Sequence, residues 1–155
     1  MEKKETAKTV RLGSLIQQNN NIKLSKKNFK IVSKNDKVSQ KEYEDILFAF
    51  RVVKHVKSNA IVLVKNNATL GIGAGQMSRI DSTKLAINKI GNKNNSFVAA
   101  SDAFFPFLDN IQILVKKNCN AIIQPSGSIN DKKIIKYANK KKIPLYFSKY
   151  RFFRH

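Results

Sequence analysis

A glycine-rich segment, Gly71–Gly75, is followed directly by Gln76, Ser78 and Arg79, a combination that can bind a phosphate or another anion. Its spacing departs from both common phosphate loops. The dinucleotide pattern G-x-G-x-x-G needs a glycine where Gln76 stands, and the P-loop needs a Gly-Lys-Ser/Thr ending. Two interpretations remain, and spacing does not separate them: the glycines admit close approach of backbone within the fold, or they admit a ligand.

Two further segments follow predicted strands. Ser101–Phe107 holds three phenylalanines around a proline, with Asp102 inside it and Asp109 and Asn110 after it. These side chains are either core residues or a polar-rimmed apolar slot that suits a flat aromatic ligand. Pro125–Ser128 is either an ordinary turn before a helix, the favoured interpretation, or a source of backbone N–H groups for a ligand.

Lys54 and His55 resemble an acid–base pair, but they are predicted to lie on an amphipathic helix. A surface or packed histidine is therefore the favoured interpretation of His55. Zinc deaminase chemistry needs H-x-E and P-C-x-x-C patterns, which are absent, and Cys119 is the single cysteine. We expect no metal site and no internal disulfide.

The elements that must position these residues follow from periodicity. Ser39 and Glu42 have capping-box spacing before a helix. The continuous apolar run at 60–64 predicts a buried strand, and AIIQ (121–124) predicts another strand. A strand pair over about 60–75 precedes helices near 79–90, 108–117 and 130–140, which alternate with strands near 97–100, 121–124 and 144–147. This order predicts a layered α/β domain with a mixed sheet. Residues 1–10 are predicted to be a flexible tail, and Leu12–Asp36 to contain edge strands or an extended arm.

The chain has 155 residues and a formal net charge of +20, which taken alone suggests a nucleic-acid partner. However, the lysines are spread along the chain, and the aromatic–basic interleaving of a base-stacking surface is absent. We therefore expect no specific nucleic-acid partner. No segment has the roughly 20 consecutive apolar residues of a membrane span, and the N-terminus has no signal-peptide pattern. A cytoplasmic location is expected.

Taken in order, the segments KSNAIV (57–62), GIGAGQMSR (71–79), ASDAFFPF (100–107) and RFFRH (151–155) resemble the C-terminal half of the AICAR formyltransferase domain of the bifunctional purine-biosynthesis enzyme. The resemblance covers about residues 11–155, which would form the second, C-terminal subdomain. It implies a cytidine-deaminase-like fold without zinc. It also implies formyl transfer from formyl-tetrahydrofolate to the 5-amino group of the AICAR nucleotide.

The resemblance assigns roles to single residues. Asn59, Arg79, Phe104 and Arg151 match positions that bind the AICAR nucleotide. The positions on the folate side are Ile80, Phe107, Asp109, Asn110 and Ser126. Leu108 stands where the family usually has an arginine, which changes the electrostatics of the folate side.

The family's catalytic lysine–histidine pair belongs to the first half of the transferase domain, and Lys54–His55 falls outside its position. We therefore assign no catalytic residue to this chain. Because the family's active sites form across a dimer, a homodimer or a complementing chain is expected as partner. The alternatives are a non-catalytic remnant or nucleotide-binding module, and, less favoured, a basic nucleic-acid-binding protein.

Overall fold

The computed structural model describes residues 5–18, 22, 24–91 and 96–154. A hairpin of two strands comes first, followed by a short 3₁₀ helix at Lys26–Asn28 and then by six strands and four helices. The strands are β1 (Glu5–Val10), β2 (Gly13–Gln18), β3 (Phe29–Ile31), β4 (Ile61–Lys65), β5 (Ala68–Gly73), β6 (Phe97–Ser101), β7 (Cys119–Pro125) and β8 (Leu145–Ser148). The helices are α1 (Gln40–Val53), α2 (Arg79–Ile90), α3 (Asp109–Lys116) and α4 (Asp131–Lys141).

The predicted capping box at the start of α1 is confirmed. The Ser39 hydroxyl accepts a hydrogen bond from the Glu42 N–H, and the Glu42 carboxylate accepts one from the Ser39 N–H at 3.0 Å. The same carboxylate accepts a hydrogen bond from Asn120 at 3.0 Å. Burial alone would raise the pKa of Glu42, but the hydrogen bonds from Ser39 and Asn120 outweigh it, and the net pKa is lowered. The cap therefore fixes both the start of α1 and its position beside β7.

The main sheet has the order β3-β8-β7-β6-β4-β5. β6, β7 and β8 are parallel to one another, whereas β4 is antiparallel to both of its neighbours and β3 is antiparallel to β8. The prediction of a layered α/β domain with a mixed sheet is confirmed. The predicted edge strand before residue 36 is confirmed by β3.

Alternating side chains of the central strands face two separate apolar cores. Ile61 and Leu63 of β4 pack with residues of α2, α3 and α4 on one face. Val62 and Val64 pack on the other face with the apolar side of α1, including the fully buried Phe50. The helices therefore cover both faces of the sheet, as the buried character of its parallel strands requires.

Two expectations are wrong. Residues 5–10 form β1 instead of an irregular tail, paired antiparallel with β2 in register from Glu5↔Gln18 to Val10↔Gly13; residues 1–4 lie outside the described residues. This hairpin escaped prediction because its side chains are almost all exposed, so it has no apolar periodicity. In addition, α1 ends at Val53 with Lys54 as its C-cap, so His55 follows the helix instead of lying on it.

No helix in the described part of the chain is long and apolar enough to cross a membrane.

The structure explains two glycines of the glycine-rich segment by packing. A Cβ atom on Gly71 would lie 2.0 Å from the Ala86 carbonyl oxygen, and one on Gly73 would lie 1.9 Å from the Ser82 carbonyl oxygen. β5 and α2 therefore touch backbone to backbone. At these two positions, the interpretation as close approach within the fold is the correct one.

Replacing Gly73 by alanine should destabilise the fold, because the new methyl group meets immobile helix backbone. Overpacking of this kind lowers the free energy of unfolding by about 1–3 kcal/mol. Because the new methyl group meets backbone, we expect Gly73→Ala to lower it by about 3 kcal/mol or more. Thr69→Ala, at an exposed position of the same strand, is the control and should change the free energy of unfolding by less than about 0.5 kcal/mol. Urea unfolding of the three proteins measures the difference, and equal stability would contradict the close packing.

Candidate functional site

Five strands have a terminus at one edge of the sheet. β5, β6, β7 and β8 run in the same direction and end at this edge, while β4 begins there. Ile61, the first residue of β4, pairs with Gly73 at the end of β5 and with Ser101 at the end of β6. Pro125 and Ser148, the last residues of β7 and β8, pair with each other. Segments that follow these strands therefore lie side by side, where open α/β sheets bind ligands.

A buried ion pair lies at the centre of this edge. Arg79, the first residue of α2, donates from Nη2 to Oδ1 of Asp102 at 3.1 Å. The Asp102 side chain is fully buried and that of Arg79 is 11% exposed. The guanidinium of Arg79 also lies 5.8 Å from the ring centroid of Phe153. The Asp102 carboxylate therefore neutralises the charge of the Arg79 guanidinium.

Asn59 lies two residues before the start of β4 and is held by the backbone that follows β5. Its amide nitrogen donates to the carbonyl oxygens of Gln76 at 2.9 Å and Met77 at 3.1 Å. Its own backbone carbonyl accepts a hydrogen bond from the buried hydroxyl of Ser82 at 2.7 Å. Both amide hydrogens therefore have backbone acceptors, which fixes the orientation of the side chain.

Arg151 and Phe104 meet at the same edge. The guanidinium of Arg151 lies 4.9 Å from the ring centroid of Phe104, a cation–π contact. It also lies over Gly127, whose positive φ of 114° and missing side chain make room for it, since a Cβ atom there would be 2.6 Å from Nη2. A glycine is therefore needed at position 127 because the Arg151 guanidinium packs over it, which the sequence pattern alone did not indicate.

The C-terminal segment is tied to the start of β4. Ser58 donates its backbone N–H to the Arg154 carbonyl at 2.9 Å, and the Arg154 N–H donates to the Ser58 hydroxyl at 2.9 Å. Gln17 of β2 donates a side-chain hydrogen bond to the carbonyl of Phe153. The segment that carries Arg151 is thus held from two sides. His155, the last residue of the matched motif, lies outside the described residues.

The structure brings all four residues that the resemblance assigned to the nucleotide, Asn59, Arg79, Phe104 and Arg151, to this edge. Their role in binding stays a prediction.

The five residues assigned to the folate side fall into two groups. Ile80 and Asp109 occupy the first turns of α2 and α3, Phe107 is 63% exposed, and Ser126 is exposed after β7. Asn110 differs, because its side chain is 1% exposed. Its amide nitrogen donates to Asp109 at 2.9 Å, and its amide oxygen accepts from Thr83 at 2.8 Å. Through the bond to Thr83, the Asn110 side chain joins α2 to α3, and its role on the folate side stays a prediction.

Besides Asp102, two groups in the chain that could transfer a proton or bind a metal are the His55 imidazole and the Cys119 thiol. His55 is exposed, as favoured from the sequence, and its carbonyl accepts a hydrogen bond from Arg154. Burial raises the pKa of the Cys119 thiol, so it is no nucleophile at neutral pH. Within residues 5–18, 22, 24–91 and 96–154, no group of three or more His, Cys, Asp or Glu side chains could hold a metal ion.

Sequence reasoning missed the central position of Asp102. It was named only as a polar neighbour of the phenylalanines, whereas it is the buried partner of Arg79. Its place directly after a predicted buried strand, together with the scarcity of arginine in the chain, was the available signal. Gln124 was also missed; its amide oxygen accepts the Phe105 N–H at 2.9 Å and holds the phenylalanine segment against β7.

Comparison with known sequences decides the family. The sequence model of the AICARFT/IMPCHase bienzyme family matches residues 1–89, and curated relatives match nearly the whole chain. The chain belongs to the AICARFT/IMPCHase bienzyme family. The family resemblance drawn from the four sequence motifs is thereby confirmed.

The relatives are named bifunctional purine biosynthesis protein PurH. The protein from Thermoanaerobacter sp. (strain X514) is 49% identical over 154 residues, which cover 99% of this chain and 30% of the relative. That from Buchnera aphidicola subsp. Baizongia pistaciae is 49% identical over 144 residues, 91% of this chain and 27% of the relative. That from Aquifex aeolicus is 45% identical over 151 residues, 96% of this chain and 29% of the relative. The chain thus spans less than a third of the length of these AICARFT/IMPCHase relatives.

Among solved structures, Acinetobacter baumannii RibD, form 2, aligns with a TM-score of 0.42 and 16% identity, over 67% of this chain and 33% of that chain. The cytidine-deaminase-like arrangement implied by the resemblance stays a prediction.

Proposed function

We propose that residues 11–155 form the second, C-terminal subdomain of an AICAR formyltransferase and bind the AICAR nucleotide at the carboxyl edge of the sheet. The reaction would transfer a formyl group from formyl-tetrahydrofolate to the 5-amino group of AICAR. One observation carries the proposal: in a chain of this family, Asn59, Arg79, Phe104 and Arg151 come from four separate segments and lie at a single edge.

The chemistry of this edge suits a nucleotide with a carboxamide. Arg151 offers a guanidinium charge, stacked on Phe104, for an anionic phosphate. Arg79 offers planar N–H donors whose direction Asp102 fixes. Since both amide hydrogens of Asn59 are used by backbone carbonyls, its amide oxygen is the atom that can accept a hydrogen bond from the carboxamide.

The folate co-substrate would lie toward the first turns of α2 and α3. Ile80 and the exposed ring of Phe107 would supply apolar contacts for the pterin, and Asp109 and Ser126 would supply polar ones. Asn110 would act there indirectly, by holding α2 and α3 together through Thr83. Without an arginine at Leu108, the negative charge of folate has less compensation at this position.

The proposal requires that another part of the enzyme supply the catalytic acid and base. The resemblance places the catalytic lysine–histidine pair in the first half of the transferase domain, so the acid and base would come from another part of the enzyme. A homodimer or a complementing chain, in the cytoplasm where purine nucleotides are made, would supply them. If no such contributor exists, the chain is a nucleotide-binding module without turnover.

Binding of AICAR tests the site directly. Isothermal titration calorimetry should detect binding of AICAR to the chain, and Arg79→Lys should weaken it. The substitution keeps the charge and removes the planar donor geometry of the guanidinium. A hydrogen bond to a charged group contributes about 1.5–3 kcal/mol, so its loss should raise Kd about tenfold or more. Arg51→Lys, at an exposed position in the last turn of α1, is the matched control and should bind like the parent chain. Equal weakening in both variants would argue against a specific site at the edge.

Turnover tests the assignment of the missing acid and base. We expect no measurable formyl transfer when the isolated chain is incubated with AICAR and 10-formyltetrahydrofolate, because loss of proton transfer slows such reactions by about 10²–10⁴-fold. A spectrophotometric assay of tetrahydrofolate release measures the rate. Robust turnover that disappears in His55→Ala would show that His55 is catalytic and that no second contributor is needed.

A further inference from the structure

The ion pair between Asp102 and Arg79 is incompletely satisfied. Within the described part of the chain, Oδ2 of Asp102 and Nε of Arg79 are both buried and have no hydrogen-bond partner. Buried polar atoms without partners lower the stability of a fold. A buried ion pair is itself weak evidence for a stabilising role, because the loss of hydration offsets the attraction between the charges. Stability therefore gives no sufficient reason for this pair.

The backbone of Asp102 joins two other segments of the site. Its N–H donates to the carbonyl oxygen of Ala60, directly after Asn59, at 3.2 Å. Its carbonyl oxygen accepts a hydrogen bond from the N–H of Phe152, directly after Arg151, at 2.8 Å. These two bonds hold the main chain of Asp102 in place, and its fully buried carboxylate bonds to Arg79. Asp102 thus contacts the segment of every residue assigned to the nucleotide, since Phe104 lies two positions along its own loop.

The two arginines of the site differ in electrostatic surroundings. Arg79 has a buried carboxylate at 3.1 Å, so the pair carries no net charge. Arg151 is exposed and lies against the ring of Phe104 and the backbone of Gly127. Within residues 5–18, 22, 24–91 and 96–154, Arg151 makes no salt bridge. An anion at this edge would therefore be attracted by Arg151 and hardly by Arg79.

We propose that Asp102 is a positioning residue of the nucleotide site: it neutralises Arg79 and fixes its guanidinium, so that Arg79 selects the base portion of the ligand by hydrogen bonding while Arg151 attracts its phosphate. The proposal rests on the proposed AICAR site for the identity of the ligand. The placement of Arg79 by Asp102 is independent of any ligand. It goes beyond the family resemblance, which assigns no role to Asp102.

The first test measures the order of Arg79 in the absence of ligand. In Asp102→Asn, which keeps the size of the side chain and removes its charge, ¹⁵N relaxation of the Arg79 Nε–H group should show a mobile side chain, against an ordered one in the parent chain. Ser101→Ala is the control, because Ser101 is equally buried and its hydroxyl donates to the Ala103 carbonyl at 2.6 Å. This control should leave Arg79 ordered. An Arg79 that stays ordered in Asp102→Asn would overturn the proposal.

The second test separates charge from recognition by comparing AICAR with ribose 5-phosphate, which has the phosphate and lacks the base. Asp102→Asn should reduce the preference for AICAR over ribose 5-phosphate by about tenfold, because the donors of Arg79 lose their direction. The same variant should bind ribose 5-phosphate with a steeper salt dependence, because Arg79 then adds an uncompensated charge. A purely structural role of Asp102 would weaken both ligands alike and leave the salt dependence unchanged.

Asp102→Glu covers the case in which Asp102→Asn does not fold. It keeps the negative charge and displaces the carboxylate by one methylene group, so the salt dependence should match the parent chain while the preference for AICAR falls. An unchanged preference in Asp102→Glu would overturn the positioning role. If the parent chain binds ribose 5-phosphate but shows no preference for AICAR, the proposed function fails. If Arg79 then still becomes mobile in Asp102→Asn, the positioning of Arg79 by Asp102 remains supported.

Discussion

The parallel pairing of β6, β7 and β8 is the constraint on which the rest of the structure depends. Because the three strands run in the same direction, each must be followed by a segment that starts at the same edge of the sheet. β4 joins this arrangement in the opposite direction, so its first residue meets the ends of β5 and β6. These strand directions bring residues that are far apart in sequence, such as Asn59 and Arg151, to one edge of the sheet. The buried pair of Arg79 and Asp102 then links these segments to one another.

Much of this arrangement could be predicted from the sequence, because its signals are local. The capping box at Ser39 depends on residues three apart, and most of the buried strand β4 is a short continuous apolar run. The order of strands and helices then leaves few topologies for a sheet with parallel strands. This is why the prediction placed the ligand segments at strand ends before any contact was known.

The features that could not be predicted depend on contacts between distant segments. The hairpin of β1 and β2 has mostly exposed side chains, so its sequence lacks the alternation of apolar and polar residues that predicts a strand. Gly71 and Gly73 are needed because α2 packs directly on β5, and Gly127 is needed because Arg151 lies over it. The hydrogen bond between Thr83 and Asn110 joins α2 to α3, and the local sequence around neither residue indicates it. Each of these residues takes its role from a neighbour far away in the chain.

The central claim is that the carboxyl edge of the sheet is a nucleotide site, and a chemical-shift map of the amide groups tests it most directly. ¹H–¹⁵N spectra recorded during addition of AICAR should change at Asn59, Arg79 and Phe104 and in the segments that follow β7 and β8. The opposite end of the sheet, around the capping box of α1, should remain unchanged. Shifts confined to the exposed lysines of α4, or spread evenly over the basic surface, would contradict a site at this edge.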